Sequence, residues 1–168
     1  GEVAAAIRAK GGKACAVAMD VSSEESVARG MDEARAALGE ISVLVNNAGG
    51  LFAPVQSAET FTVEQWNRAL AVNLTGSWLC SRAVIPQMKA ARRGRIVNIT
   101  STTFDYGLPT EMVPYISAKG GIVGLTRALA RELGPYDITV NAVAPGLIQP
   151  QDRAGRISLS AGKAKSIT

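Results

Sequence analysis

The sequence has 168 residues, 47% of them apolar, and a formal net charge of +4. That length suits one ordinary domain and is short for two, and no apolar run approaches the ~18 residues of a membrane span, so a protein of the cytoplasm is expected. Histidine is absent, which excludes Ser-His-Asp triads, Cys-His nucleophiles and His-ligated metals together and leaves acid–base chemistry to Tyr, Lys, Asp, Glu or an activated hydroxyl.

Residues 2–10 predict a helix of good formers stopped by Gly11 and Gly12. KACAVAM at 13–19 is a short β-like run ending at Asp20-Val21. Ser22 or Ser23 can then cap a helix whose Val27, Met31, Ala34 and Leu38 recur at helical spacing and which Gly39 ends. ISVLVNN at 41–47 is almost continuously apolar, the pattern of a strand covered on both faces. After a loop over 48–61, Thr62 can cap a long helical stretch to about Ala91, with Gly76 and Pro86 predicting a break or kink. RIVNIT at 95–100 is the next strand, followed by a loop over 101–113, a helix over 114–133 closed by Gly134-Pro135, and a strand over 137–144 cut by Pro145-Gly146. Residues 150–168 show no period and read as an irregular tail. Arg153, Arg156, Lys163 and Lys165 against Asp152 leave +3 in that tail and +1 in the rest. With aromatics at 5%, no basic, aromatic-laced face suggests a nucleic-acid partner. Cys15 and Cys80 lie far apart and read as free thiols.

Strands alternating with helices long enough for right-handed crossovers predict an α/β fold with a doubly wound parallel sheet. Ligands on such sheets bind beyond the carboxyl ends of the strands. The places to inspect are therefore Asp20-Val21, the run Asn46-Asn47-Ala48-Gly49, Ser101, and Pro145-Gly146.

Tyr115 and Lys119 are four apart and share one helix face. An ammonium close to a phenol favours the phenolate, which turns a tyrosine into a usable proton donor and acceptor. Ser101 ends a strand and can either form a turn or offer its hydroxyl to a substrate oxygen, with Thr102 and Thr103 as rival hydroxyls. Asn46 and Asn47 can tie neighbouring strands together or bind a ribose, and Gly49 would let backbone approach a ligand closely. Asn73 stands inside a helical stretch beside Gly76, which suggests a local break serving a polar site. Asp20 is either a helix-entry acid or an acceptor for an adenine amino group. Gly120, Gly124 and Ala128 form a small-residue stripe that allows close approach of a sheet, a cofactor or a partner helix, with packing in the core as the expected use.

The order and spacing of D-V at 20–21, N-N-A-G at 46–49, Asn73, I-V-N-I-T-S at 96–101, Y-I-S-A-K at 115–119 and I-T-V-N-A-V-A-P-G at 138–146 resemble the short-chain dehydrogenase/reductase family. The resemblance runs from residue 1 to about residue 149 and implies a Rossmann-like domain and hydride transfer between NAD or NADP and a secondary alcohol or ketone. It further implies that Tyr115 exchanges the proton, that Lys119 assists it and binds the nicotinamide ribose, that Ser101 positions the substrate oxygen, and that Asn73 holds a water of the proton relay. Asp20 and Val21 would flank the adenine, Asn46 the adenosine ribose, Ala48 and Gly49 would also contact the cofactor, and Pro145, Gly146 and Ile148 would lie near the nicotinamide. No metal is implied.

The family's Gly-rich turn does not occur before residue 11, and Pro150 stands where the family usually has Thr. The sequence therefore predicts a domain truncated at both ends, 1–149, followed by the tail 150–168, with little activity by itself. The helices over 62–91 and 114–133 are where the family pairs subunits, which implies a dimer or tetramer. The apolar loop over 104–109, with Met112 and Val113, favours an apolar or cyclic substrate. The alternative function is a non-catalytic member of the fold that serves as an oligomerising scaffold.

Overall fold

The structure, a computed structural model, describes residues 1–106, 111–146 and 148. The predicted tail 150–168 and part of the apolar loop over 104–109 lie outside the described residues. Helix α1 spans Glu2–Ala9 and α2 spans Glu24–Leu38, capped by the Ser23 side chain, which accepts from the Ser26 N–H. Strand β1 is Val43–Asn46, α3 is Val63–Leu70, α4 is Gly76–Ala91 and β2 is Gly94–Ile99. A short helix α5, Thr103–Tyr106, precedes the long α6, Val113–Leu133, and β3 is Ile138–Val143.

The sheet is open and parallel with the order β1-β2-β3, the α/β architecture expected from the alternating pattern. Its register sets Leu44 opposite Ile96 and Ile96 opposite Val140. These three point to the face on which α2, α4 and α6 pack, where Val27, Val84, Met88, Leu129 and Leu133 complete the core.

Two expectations about strands need correction. The apolar run around β1 is covered on one face only: Val43 and Val45 are 56% and 55% exposed, as Val143 is at 50%. Residue alternation in a strand sends them to the side opposite the core, where they lie open. The run 13–19 forms no strand, because a strand exists only through a neighbour's backbone groups. Among the described residues none pairs with it.

The long stretch from Thr62 divides as its residues suggest. Thr62 and Gln65 form a reciprocal capping box at the start of α3. Residues Ala71–Thr75 then widen into a π-helical turn around Asn73 before α4 begins at Gly76. Gly76 is required for packing, since a β-carbon there would stand 2.9 Å from Val21 Cγ2 and 3.0 Å from the Val21 carbonyl oxygen. Helix α4 continues through Pro86 to Ala91. The stripe Gly120, Gly124 and Ala128 is not in the core: among the described residues, β-carbons at the two glycines would meet nothing within 4 Å. The glycine of α6 that packs is Gly121, against Leu74.

Candidate active site

Helix α6 starts just before Pro114, whose fixed φ suits a first turn, so Tyr115 and Lys119 stand on successive turns of a well-anchored helix. Lys119 is 4% exposed, and its Nζ lies 5.7 Å from the centroid of the Tyr115 ring. The ammonium donates to the Ile99 carbonyl at 2.8 Å, and Thr100 Oγ1 donates to the Lys119 carbonyl at 2.7 Å. The end of β2 thus fixes both the backbone and the head group of this lysine. Burial pushes the Lys119 pKa below the ordinary lysine value.

Ser101 follows directly. Its Oγ accepts from the Thr103 N–H at 3.3 Å and from Thr103 Oγ1 at 3.0 Å. The ends of β2 and β3 are tied by Thr100 N–H to the Val143 carbonyl at 2.9 Å and Thr102 N–H to the Pro145 carbonyl at 3.1 Å. These bonds carry Ser101 and the Pro145-Gly146 segment to the same end of the sheet.

Asn73 is 1% exposed and bonded at both ends of its amide. Its Oδ1 accepts from the Gly50 N–H at 3.0 Å, and its Nδ2 donates to the carbonyls of Gly50 at 2.8 Å and Ala69 at 2.9 Å. The polar break inferred at this position is therefore real, and its amide clamps the loop after β1 onto the helix layer. Gly49 lies under that clamp, where a β-carbon would stand 2.7 Å from Asn73 Oδ1 and 3.2 Å from Lys119 Nζ. The close approach expected at Gly49 is thus to two side chains of the protein itself.

Of the two uses open to Asn46, its side chain takes the structural one. Its Nδ2 donates to Asn98 Oδ1 at 2.8 Å, Ser81 Oγ at 3.0 Å and the Ser77 carbonyl at 3.2 Å. Asn98 Nδ2 donates onward to Thr126 Oγ1 at 2.9 Å, so a buried polar chain crosses the sheet from α4 to α6. Asp20 accepts from the Ser22 hydroxyl and N–H at 2.6 and 2.9 Å, which holds its carboxyl below the usual range.

Two adjoining cavities open here. One, about 250 Å³, is lined by Gly49, Ser101, Tyr115, Lys119, Pro145, Gly146 and Ile148, together with Asn47, Gly50, Ile99 and Thr100. The other, about 310 Å³, shares Gly50, Ser101, Tyr115, Gly146 and Ile148 and adds Leu51, Thr102, Thr103 and Met112. Ser101 and Tyr115 stand in the walls of both. Val21, Asn46 and Ala48 lie apart from these, around a space of only about 10 Å³ with Gly76, Ser77 and Cys80. Asp20 lines none of the three. Gly50 and Leu51 are wall residues that the sequence did not single out for the site, and Thr102 and Thr103, read there only as rivals to Ser101, line the larger cavity with them. Loop residues carry no period, and only adjacency to Gly49 and Ser101 marked them. A larger cleft of about 420 Å³ near Ile41, Gln87 and Arg93 contains none of the candidate residues.

Residues 1–158 match the sequence model of the family described as short chain dehydrogenase. The chain is 43% identical over 142 residues to the inactive 2-(S)-hydroxypropyl-CoM dehydrogenase 2 of Xanthobacter autotrophicus, covering 84% of this chain and 60% of that protein. It is 39% identical over 146 residues to a 3-oxoacyl-[acyl-carrier-protein] reductase of Synechocystis, covering 87% and 58%. Among solved structures, an NAD+-bound xylitol dehydrogenase superposes with a TM-score of 0.83 at 37% identity, covering 89% of this chain and 56% of that one. The chain thus spans little more than half the length of these relatives.

Proposed function

The chain belongs to the short-chain dehydrogenase family, and on that premise we propose that the polypeptide carrying it transfers hydride between NAD or NADP and a secondary alcohol or ketone, with Tyr115 moving the proton. The observation that carries this reading is the placement of Ser101 and Tyr115 in the wall common to two cavities, with the buried Lys119 ammonium beside the Tyr115 ring.

The smaller cavity suits the nicotinamide–ribose end of the cofactor by its donors. Lys119 uses one N–H on Ile99 and has two more for ribose hydroxyls. A bound nicotinamide supplies the hydride acceptor or donor. Tyr115 takes the proton of an alcohol as phenolate, or gives it to a ketone oxygen as phenol, with Lys119 Nζ 5.7 Å from its ring centroid. Ser101 donates a hydrogen bond to the same oxygen. Asn73 keeps the 49–50 segment and the Lys119 surroundings in place and, as the family resemblance implies, serves the water of the proton relay. The space beside Val21, Asn46 and Ala48 is too narrow for an adenine, which would instead lie outside it against Asp20 and Val21. Leu51, Met112 and Ile148 line the larger cavity and favour an apolar or cyclic substrate.

Residues 1–149 would form part of a Rossmann-like domain. By themselves, without a Gly-rich turn to cradle the pyrophosphate, they would bind dinucleotide weakly and turn over no substrate. The open stripe Gly120, Gly124 and Ala128 and the half-exposed Trp78 on α4 support assembly into a homodimer or homotetramer. No described helix is long and apolar enough to cross a membrane.

Tyr115→Phe tests the reading. In the polypeptide carrying this sequence, alcohol-dependent reduction of NAD or NADP is expected to fall by about 10²–10⁴-fold, the usual worth of a general acid–base group. Unchanged turnover would remove Tyr115 from this role. A second reading, an assembling member without chemistry, is favoured by the relative described as inactive. It predicts oligomers together with no cofactor reduction in the unsubstituted polypeptide.

A further inference from the structure

We propose that Thr103 is a positioning residue that directs the Ser101 hydroxyl proton at the substrate oxygen. The inference rests on the reading of Ser101 given above. Both donors of Thr103 reach one oxygen: its N–H lies 3.3 Å and its Oγ1 3.0 Å from Ser101 Oγ.

A serine hydroxyl has one proton and two acceptor sites. The Thr103 N–H fills one acceptor site, and when Thr103 Oγ1 donates it fills the other, leaving Ser101 only a donor to offer. Among the described residues it donates to none, and it lines both cavities beside Tyr115. Its proton therefore points where a substrate oxygen would sit. Hydrogen bonds in series polarise one another, so a hydroxyl that accepts two is also the stronger donor.

The Thr103 backbone bond alone would make Ser101 an ordinary cap on the short helix α5. The side-chain bond is the additional feature. The 3.0 Å between the two oxygens admits two arrangements of the hydroxyl pair, and only the one with Thr103 as donor serves the substrate. If Ser101 donated to Thr103, its proton would be lost to the substrate. When Thr103 donates, the proton stays available. Thr103 also lines the larger cavity, so it sits at the place where this selection has an effect on substrate.

The test compares Thr103→Val, Thr103→Ser and Ser101→Ala in the polypeptide carrying this sequence, with cyclohexanol as the probe and reduced nicotinamide as the readout. Thr103→Val removes the hydroxyl at nearly constant shape and should lower kcat by about 5–10-fold, the equivalent of one hydrogen bond, with KM within about twofold. Thr103→Ser keeps the hydroxyl and should restore kcat. In a Ser101→Ala background Thr103→Val should cause no further loss, because the residue acts only through Ser101. The inference is overturned by a kcat unaffected in Thr103→Val, by failure of Thr103→Ser to rescue, or by a full additional loss in the double variant. Undiminished turnover in Ser101→Ala would instead overturn the underlying assignment of Ser101. Normal Thr103→Val with a disabled Ser101→Ala would overturn the role of Thr103 alone.

Discussion

Gly49 and Asn73 meet so closely that a β-carbon on Gly49 would stand 2.7 Å from Asn73 Oδ1. The same added atom would stand 3.2 Å from Lys119 Nζ. A residue after β1, a residue in the π-helical turn and a residue of α6 therefore share one crowded point, and the site's geometry depends on the absence of a side chain there.

Gly49→Ala should force the Asn73 amide off the Gly50 backbone and displace the lysine head. Neither atom is the free end of a mobile side chain, since both are held by hydrogen bonds. A destabilisation of about 1–3 kcal/mol is expected, as for other overpacked interiors. Denaturant titration measures it, and an unchanged midpoint would show that the loop yields freely.

Lys119 is held below its ordinary pKa by burial. The folded state therefore releases this proton at lower pH than the unfolded state does. Between the depressed folded pKa and the unfolded value of about 10.4, the unfolded chain binds more protons, so this group's contribution to stability rises with pH. Below that window the burial penalty is fully present. Lys119→Met should remove this alkaline rise while lowering turnover about 10²-fold or more. Parallel pH–stability curves for the two proteins would contradict the assignment of the penalty to Lys119.

The Asn46–Asn98–Thr126 chain is buried and links β1 to β2 and α6. Asn98→Leu takes from the Asn46 amide its shortest bond, leaving Ser81 Oγ and the Ser77 carbonyl as acceptors, and removes the donor to Thr126. About 1–3 kcal/mol of stability should be lost for each polar group left unsatisfied. A double-mutant cycle with Asn46→Ala should give a coupling above about 0.5 kcal/mol. Simple additivity would mean that the two amides act independently.

Gly124 faces open space in α6, so Gly124→Ala meets no obstacle among the described residues. The isolated subunit should gain up to about 1 kcal/mol from helix propensity. If the stripe is the face on which copies assemble, the same change should weaken assembly in sedimentation at equal concentration. An unaltered oligomer would place the contact elsewhere.

Much of the outline was legible in the sequence because helix periodicity, caps and the i, i+4 relation are local. Ser23 and Thr62 mark helix starts, and Gly39 and Pro145 mark ends, through the bonding capacity of their own backbone and side chains. The face shared by Tyr115 and Lys119 follows from helical geometry alone. The run 13–19 and the burial of β1 were not legible, since both depend on what lies beside a segment and not on what it contains. Val43 and Val45 have the composition of interior residues, yet what covers them is a property of the assembled sheet.

The sequence by itself determined the α/β alternation, the family, and the chemistry available to a chain with no histidine. Tertiary structure alone decided which polar groups are engaged and which are free to act. Asn46 and Asn73, both plausible ligand-binding amides in one dimension, have their N–H donors on protein acceptors. Ser101, ambiguous as a turn residue, comes to lie in the wall shared by two cavities with Tyr115. A hydrogen bond is set by distance and direction between segments far apart in the chain, and that relation exists only once the sheet and helices have packed.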